Sequence, residues 1–410
     1  MRERNVLYIS YDGALEPIAQ SQVLNYIKEL SKNGFKFHLV SFEKKKHLSD
    51  TAYLSEVDNE LNEKGIKWHR LKYHGRPKIL STFFDVILGI LFCSLITRKN
   101  KIDIIHARSE VSATIALVVS RLFRAKFLYD RRGIIAYDYI EGGMWPRGSL
   151  VTKIMFRLAN AMDRIFLLSS DHIVVLTKKI AEILKKEDSL RFKKRLEIKV
   201  IPCCADLDRF KPREKDVPPQ NDFGLSDKFV LLYTGSLGTW YMLKEMSDFF
   251  IELKKQKTNA HFLILTMSEH SFADGIIRSR KINESGYTII GRKYKEMPKY
   301  VIFGDAAIMF IKPVFSKIAS CPTKFAECLA CGLPVVINSK IGDTQDLVER
   351  NEVGVVVDGF SVKDYQEAAR KLLALMEDRD LSQRCRDVAR QNFSLEYGVK
   401  NYLEIYKGLE

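Results

Sequence analysis

Several signals that assign a protein quickly are scarce or missing in this 410-residue sequence. Cysteine is one: seven residues, at positions 93, 203, 204, 321, 328, 331 and 385, are odd in number and scattered through apolar segments. That excludes a disulfide framework and favours a reducing compartment. Cys328 and Cys331 form C-x-x-C, but no second ligand pair and no histidine stand close by. Small thiols buried on a packed helix are therefore expected, rather than zinc or redox chemistry. No charged segment followed by a long apolar one opens the chain; RNVLYISY reads as a strand from the fourth residue, so no signal peptide and a cytoplasmic location are expected. The longest apolar run, residues 83–97, carries Asp85 and falls short of the roughly 20 residues that a membrane span requires. A helix so apolar on nearly all sides is expected inside a core. Its basic flanks, Lys78, Arg98, Lys99 and Lys101, leave partial insertion into a membrane surface as the second possibility. Low-complexity tracts are absent. The loop GSLGTW, residues 235–240, matches neither G-x-G-x-x-G nor a P-loop, which disfavours dinucleotide or ATP-cleaving chemistry.

Acid is scarce in one half of the chain. Residues 1–200 hold 36 Lys and Arg against 22 Asp and Glu, whereas residues 201–410 hold 30 against 29, so nearly all of the formal charge of +15 lies in the first half. A basic half suits phosphates, whether on nucleic acid, anionic lipid or a phosphorylated substrate. The hydrophobic content of 46% and charged content of 29% are those of a globular protein. Its length exceeds what one core usually serves and fits two domains of about 200 residues with a cleft.

Short apolar runs alternate with helical patterns throughout. NVLYIS, FKFHLVSF, DIIHARS, KFLYDRRG, HIVVLT and EIKVIPC are separated by helical stretches, and Asn33-Gly34 stops the first of these. Such alternation gives a parallel sheet covered on both faces. After the polar, proline-bearing segment 211–228 the pattern restarts with FVLLYTGSLG, an amphipathic helix over 241–255, HFLILT, YTIIG, a helix near 294–303, DAAIMFI, PVVIN and VGVVV. Domains over 1–210 and 211–393 are expected, with a closing helix over 394–410 returning to the first.

Ligands of open parallel sheets bind beyond the carboxyl ends of the strands. Asp12 and Gly13, with Gln20 following, stand after the first strand, His106 and Arg108 after the fourth, and Asp130, Arg131, Arg132 and Gly133 after the fifth. Convergent arginines suit a phosphate or carboxylate. In the second half, CPTKFAECLACGLPVVI places Pro322-Thr323 at a helix start, whose free amides and dipole suit a diphosphate. Glu327, one turn further, is placed to accept hydrogen bonds from vicinal ribose hydroxyls. An ordinary helix-to-strand connection with a solvent-facing Glu is the alternative.

The blocks PTKFAECLACGLPVVI, VLTKKIAE with VIPCCADLDRF, YTGSLG and the opening SYDGALEPIAQSQVLNYIKELSKNGFKFHLVSFEK resemble the retaining GT-B glycosyltransferases, in particular bacterial polysaccharide and lipid-linked-sugar transferases. The resemblance covers nearly the whole chain. It implies an α/β GT-B fold of two Rossmann-like, doubly wound parallel-sheet domains facing a cleft, with the nucleotide-sugar donor on the second. Glu327 matches the second acid of the family's Glu-x7-Glu motif and Thr323 and Lys324 lie at its diphosphate seat, with Phe325 also on the donor side, while Gly235, Ser236 and Gly238 form the donor loop. Two positions depart from the pattern: Ala319 stands where the first acid belongs, and Ser236 where an Arg often follows the loop glycine. Lys244 approximates the usual downstream Lys, and Arg292, Arg131 or Arg132 are candidates for the missing charge. The resemblance also implies retention without metal or other cofactor; Asp206-x-Asp208 is not expected to bind one. Asp130, Arg131 and Arg132, where relatives often carry a His-Asp pair, are expected to orient acceptor and phosphate, with Asp12, Gly13, Gln20, His106 and Arg108 on the acceptor side. A glycan or polyprenyl-diphosphate-linked acceptor would place the basic half against the anionic inner face of a membrane.

A GT-B sugar-nucleotide epimerase is the nearest rival, and a non-catalytic nucleotide-sugar binder the next. Nucleic acid is disfavoured, since neither an aromatic-rich strand face nor a DNA-reading motif accompanies the charge.

Overall fold

The computed structural model describes residues 3–191, 196–213 and 224–409; most of the expected 211–228 connection, residues 214–223, lies outside them. The chain divides into two compact units, the first running to Ile140 and over Met144–Pro202 with the residues from Gly398 onward, the second comprising Glu141–Gly143 and Cys203–Tyr397. The boundary thus falls at Pro202/Cys203 rather than at 210/211. The Ala205–Ser394 bridge and the 2.7 Å bond from the Ala205 amide to the Phe393 carbonyl tie residues 203–210 into unit 2.

Unit 1 is a seven-stranded parallel sheet in the order β3-β2-β1-β4-β5-β6-β7. Its strands are β1 (Arg4–Ser10), β2 (Phe35–Glu43), β3 (Lys67–Lys72), β4 (Ile104–Arg108), β5 (Lys126–Asp130), β6 (His172–Val175) and β7 (Ile198–Val200). Unit 2 is a six-stranded parallel sheet, β10-β9-β8-β11-β12-β13, of β8 (Phe229–Thr234), β9 (Ala260–Leu265), β10 (Tyr287–Ile290), β11 (Ala306–Met309), β12 (Val335–Asn338) and β13 (Gly354–Val357). Central strands such as FVLLYT of β8 are buried at every residue, as helices on both faces require. The edge strand β3, KWHRLK, instead buries only Trp68 and Leu71 and carries no continuous apolar run that would announce it in the sequence. In each sheet the winding direction reverses once, between β1 and β4 and between β8 and β11, which places a ligand crevice at the carboxyl ends of those strands.

Seven helices position the features that matter for function: α1 (Lys78–Asn100), α2 (Ser109–Phe123), α3 (Leu150–Ser169), α4 (Leu243–Gln256), α5 (Thr323–Ala330), α6 (Leu381–Phe393) and α7 (Leu395–Gly408). The helix expected near 294–303 is two short turns, Tyr294–Glu296 and Pro298–Val301, broken at the proline. The core of unit 2 lies on both faces of its sheet, with Phe325, Leu329 and Leu333 on one side and Phe249, Phe262 and Tyr365 on the other.

α1 corrects the expectation of a core helix. Its buried row is Ser81, Asp85, Gly89, Cys93 and Thr97, joined by Ile96, while Ile79, Phe83, Ile87, Leu91 and Leu95 form an exposed apolar row. A Cβ at position 89 would come within 2.5 Å of Ile115 on α2, so the glycine lets the two helices approach closely. The small and polar row makes the contact that the apolar row was expected to make.

Candidate functional site

In unit 1 the first loop is held by a buried acid that the sequence reading did not single out. Glu43, ending β2, accepts from the Ala14 amide at 2.6 Å and from Ser41 Oγ at 2.6 Å. Burial pushes its carboxyl pKa up against these hydrogen bonds. Gly13 passes so close that a Cβ there would meet Glu43 Oε2 at 2.6 Å and the Phe42 carbonyl at 3.1 Å. Gln20 begins a π-helical turn, Gln20–Leu24, and donates to the Ala14 carbonyl at 2.7 Å. Asp12 pairs with Arg108, whose buried Nε has no partner among the described residues. Asp12, Gly13, Gln20 and Arg108 are thus brought together at the carboxyl ends of β1 and β4.

His106 and Arg108 lie within β4 itself, not in the loop after it, and Asp130 is the last residue of β5. Asp130 is completely buried, and its Oδ2 accepts from Arg132 Nε at 3.0 Å and from the Tyr402 hydroxyl at 3.2 Å, with His106 Nε2 at 3.4 Å. Burial opposes its charge, yet Arg132, His106 and Arg108 hold its pKa down at about 2. Burial also lowers the His106 pKa, leaving a neutral ring whose Nδ1 meets the Tyr406 hydroxyl at 2.7 Å. That network fits the Nε2–H tautomer, with the tyrosine donating to Nδ1. Asp130 Oδ1 has no partner among the described residues.

Arg131 turns elsewhere. Its guanidinium forks onto Asp163 of α3 at 3.1 and 2.8 Å, and Tyr129 donates to the same carboxylate at 2.9 Å. The adjacent arginines therefore do different work: Arg132 faces Asp130, and Arg131 is committed to a buried ion pair. Tyr402 and Tyr406, both on α7, complete the Asp130 cluster from some 270 to 300 residues away, and no local motif marks them.

In unit 2, Gly235 and Gly238 take positive φ, +145° and +89°, at the turn after β8. The Tyr233 hydroxyl donates to the Ser236 carbonyl at 2.5 Å and the Leu237 amide to Ser268 Oγ at 2.9 Å, which fixes the loop. Lys324 reaches this loop, since a Cβ on Gly235 would lie 3.4 Å from Lys324 Cε. Lys317, also unmarked by any motif, is buried with its ammonium 3.5 Å from the centre of the Trp240 ring, and so brings a cation to the same loop. Ala319, in place of an acid, is buried two residues further on. Pro322 precedes α5 without a side-chain cap. The Phe325 amide bonds back to the Pro322 carbonyl at 3.1 Å, leaving the amides of Thr323 and Lys324 as the open donors of the first turn. Phe325 itself packs in the core, 5.5 Å from Phe393 in an edge-on arrangement.

Glu327 is 5% exposed, and no group among the described residues donates to its carboxylate. Burial raises its pKa, countered by Lys324 and Arg209. The solvent-facing alternative is thereby excluded. Arg209 lies over the Tyr294 ring at 4.8 Å, a further cation that the sequence reading passed over within its own DLDRF block. Arg292 stacks on Tyr300 at 4.7 Å and donates to the Gly291 carbonyl at 2.7 Å. Lys244 is exposed in the first turn of α4 and makes no hydrogen bond or ion pair among the described residues. Asp206 Oδ1 accepts the Asp208 and Arg209 amides at 3.0 and 3.2 Å and so serves its own turn. Among the described residues no group of three or more His, Cys, Asp or Glu is placed to hold a metal ion.

Two parallel sheets of this order, with charged clusters at the carboxyl ends of their central strands, define a class. The family model for glycosyl transferases group 1 matches residues 219–392 and that for glycosyltransferase family 4 matches residues 19–209. The chain belongs to the GT-B glycosyltransferases. Among solved structures it is similar to sucrose-phosphate synthase from Thermosynechococcus elongatus, at 15% identity over 99% of each chain with a TM-score of 0.70. It is also similar to Anabaena HepE in complex with UDP-glucose, at 15% identity over 98% of this chain and 99% of that one, TM-score 0.68. A Listeria monocytogenes chain assigned as a UDP-N-acetylglucosamine 2-epimerase shares 14% identity over 98% and 95%, TM-score 0.59. No curated protein sequence matches the chain significantly.

Proposed function

We propose that the protein transfers a sugar from a nucleoside-diphosphate sugar to a hydroxyl of a glycan or lipid-linked acceptor, with retention and without a metal, in cell-surface polysaccharide or glycolipid synthesis. One observation carries the donor assignment: a buried carboxylate without a hydrogen-bond donor, Glu327, stands one turn into a helix whose first amides are open and whose Lys324 lies against the Gly235 loop. Such a group gains when a ligand brings two vicinal hydroxyls to it. The diphosphate belongs at the Thr323 and Lys324 amides, with Lys317 and Lys324 supplying the charge that Ser236 lacks. The UDP-glucose bound by Anabaena HepE makes a UDP-sugar the first donor to try.

Asp130, Arg132 and neutral His106 form the acceptor-side group. Asp130 and His106 orient the acceptor hydroxyl, and Arg132 steadies phosphate charge as the leaving group departs. Retention follows the resemblance, in which the donor phosphate takes the acceptor proton. The basic first half holds the enzyme at the anionic inner face of a membrane, each surface Lys or Arg contributing on the order of 1 kcal/mol.

Thermal stabilisation by UDP-, GDP- and CMP-sugars tests the donor. One of them is expected to raise the melting temperature of the wild type and not that of Glu327→Ala. Stabilisation by none, or equal stabilisation of both proteins, would refute the assignment. Release of nucleoside diphosphate with a glycosylated acceptor, rather than a new sugar nucleotide, separates transfer from epimerisation.

A further inference from the structure

α1 is built inside out. Ile79, Leu80, Phe83, Phe84, Leu91 and Leu95 are each more than half exposed, reaching 68% at Leu80 and Leu95, while Asp85 on the inward row is fully buried. The outward row recurs every fourth residue and runs about 24 Å along the helix. By length and composition alone the 22 residues Ile79–Asn100 suffice to cross a membrane, but only 28% of their most apolar window is buried in the protein. The close fit of Gly89 on Ile115 holds α1 along α2, so it offers a face rather than a span.

α3 repeats the design. Leu150, Val151, Ile154 and Leu158 are half or more exposed, up to 72% at Leu150. Exposed Lys153, Arg157 and Arg164 each immediately precede an outward apolar residue, Ile154, Leu158 and Ile165, so a basic row runs beside the apolar one. α2 packs against both helices and ends in exposed Leu122 and Phe123. The three helices contain one acid each, Asp85, Glu110 and Asp163, and none of them is exposed. At the far end of α1 and α2 a cavity of about 880 Å³ is lined by Arg98, Lys101, Arg124 and Lys126 against the single acid Asp103, with Lys126 also pairing with Asp171 at 3.4 Å. A face of large apolar side chains on helices that expose cations and no acid complements an anionic bilayer, with acyl chains for the first and phosphates for the second. A second copy of the chain would set the basic rows of two protomers against each other, with no exposed acid on these helices to offset them.

We infer that the α1–α2–α3 face of unit 1 lies in the interfacial layer of an anionic membrane, its apolar rows among acyl chains and its basic rows at the headgroups, so that the acceptor reaches the Asp12 loop from the lipid surface. The face connects directly to that loop: Tyr11, next to Asp12, donates to Asp85 of α1 at 2.9 Å. The acceptor half of this inference rests on the proposed transfer reaction; the membrane half stands without it.

Vesicles of phosphatidylcholine and phosphatidylglycerol test it, with Phe84→Trp as the probe against the resident Trp68, Trp145 and Trp240. Acyl-chain-brominated lipid is expected to quench the added tryptophan, and binding should persist in about 0.5 M NaCl, where surface charges are screened beyond about 4 Å. Phe83→Ser with Leu91→Ser, or Leu150→Ser with Leu158→Ser on α3, should lower salt-resistant binding at least about tenfold while nucleotide-sugar stabilisation stays as in the wild type. Binding abolished by salt with no quenching would leave charge alone and overturn insertion. A dimer in solution whose dissociation is caused by the same substitutions would assign the face to a second copy and overturn it as well. Quenching with no nucleotide-sugar stabilisation of any variant would sustain the membrane face and refute the transfer reaction instead.

Discussion

Glu327 and Asp130 are both buried carboxylates, and their surroundings push them in opposite directions. Burial raises the Glu327 pKa, so its charged form costs stability; that cost is absent below the unfolded value near 4.3 and grows as pH rises through the folded one. Glu327→Gln should therefore raise the melting temperature at pH 7 while weakening UDP-sugar binding by about tenfold or more, as paired calorimetric and thermal measurements would show. A stability loss without an affinity loss would make Glu327 a packing residue. Asp130 is the reverse case. Despite burial, Arg132, His106 and Arg108 hold it at about 2, so its contribution is complete above the unfolded value near 3.9 and is lost as pH falls toward about 2. Asp130→Asn should cost about 3 kcal/mol in urea unfolding at pH 7, because it strands Arg132, and should remove that acid-dependent loss. The two arginines separate in the same way. Arg131→Ala, which frees Asp163, should lower stability and leave kcat nearly unchanged, whereas Arg132→Ala, which strands buried Asp130, should lower both; loss of kcat in Arg131→Ala at retained stability would return Arg131 to the chemistry.

At the scale of elements, what could be read from the sequence was what is encoded locally. α5 announces itself through Pro322-Thr323 at its start and Gly332-Leu333-Pro334 at its end, and the structure shows why Gly332 is needed. It sits at φ +76°, and a Cβ there would lie 2.2 Å from Ser382 Oγ on α6. Gly332→Ala should lose about 1–3 kcal/mol and release α6 from α5, visible as faster amide exchange in both. The alternation of strands and helices, and the charged residues Asp12, Arg108, Asp130 and Arg132 at strand ends, were legible for the same reason. Partners distant in the chain were not: Tyr402 and Tyr406 reach Asp130 and His106 from α7, and nothing near residue 130 foretells them. α1 was misjudged because periodicity shows where apolar residues fall but not which row meets the neighbour. Where Gly89 and Cys93 permit close approach, the small row packs and the large row is left outside.

For the whole molecule, the charge asymmetry and the exposed apolar rows coincide on unit 1, while the open amides and the unbonded acid are on unit 2. This division matches a transferase whose lipid-borne acceptor and soluble nucleotide donor are recognised by different units. Vesicle affinity of the wild type should then fall with rising salt to a plateau rather than to zero. The donor side can be tested by one comparison: UDP against 2′,3′-dideoxy-UDP, titrated calorimetrically into wild type and Glu327→Ala. Loss of the ribose hydroxyls should weaken wild-type binding by about tenfold or more and leave the variant, already weakened, nearly indifferent. Equal affinity of the wild type for both nucleotides would contradict the assignment of Glu327 to the ribose, and with it the donor site proposed here.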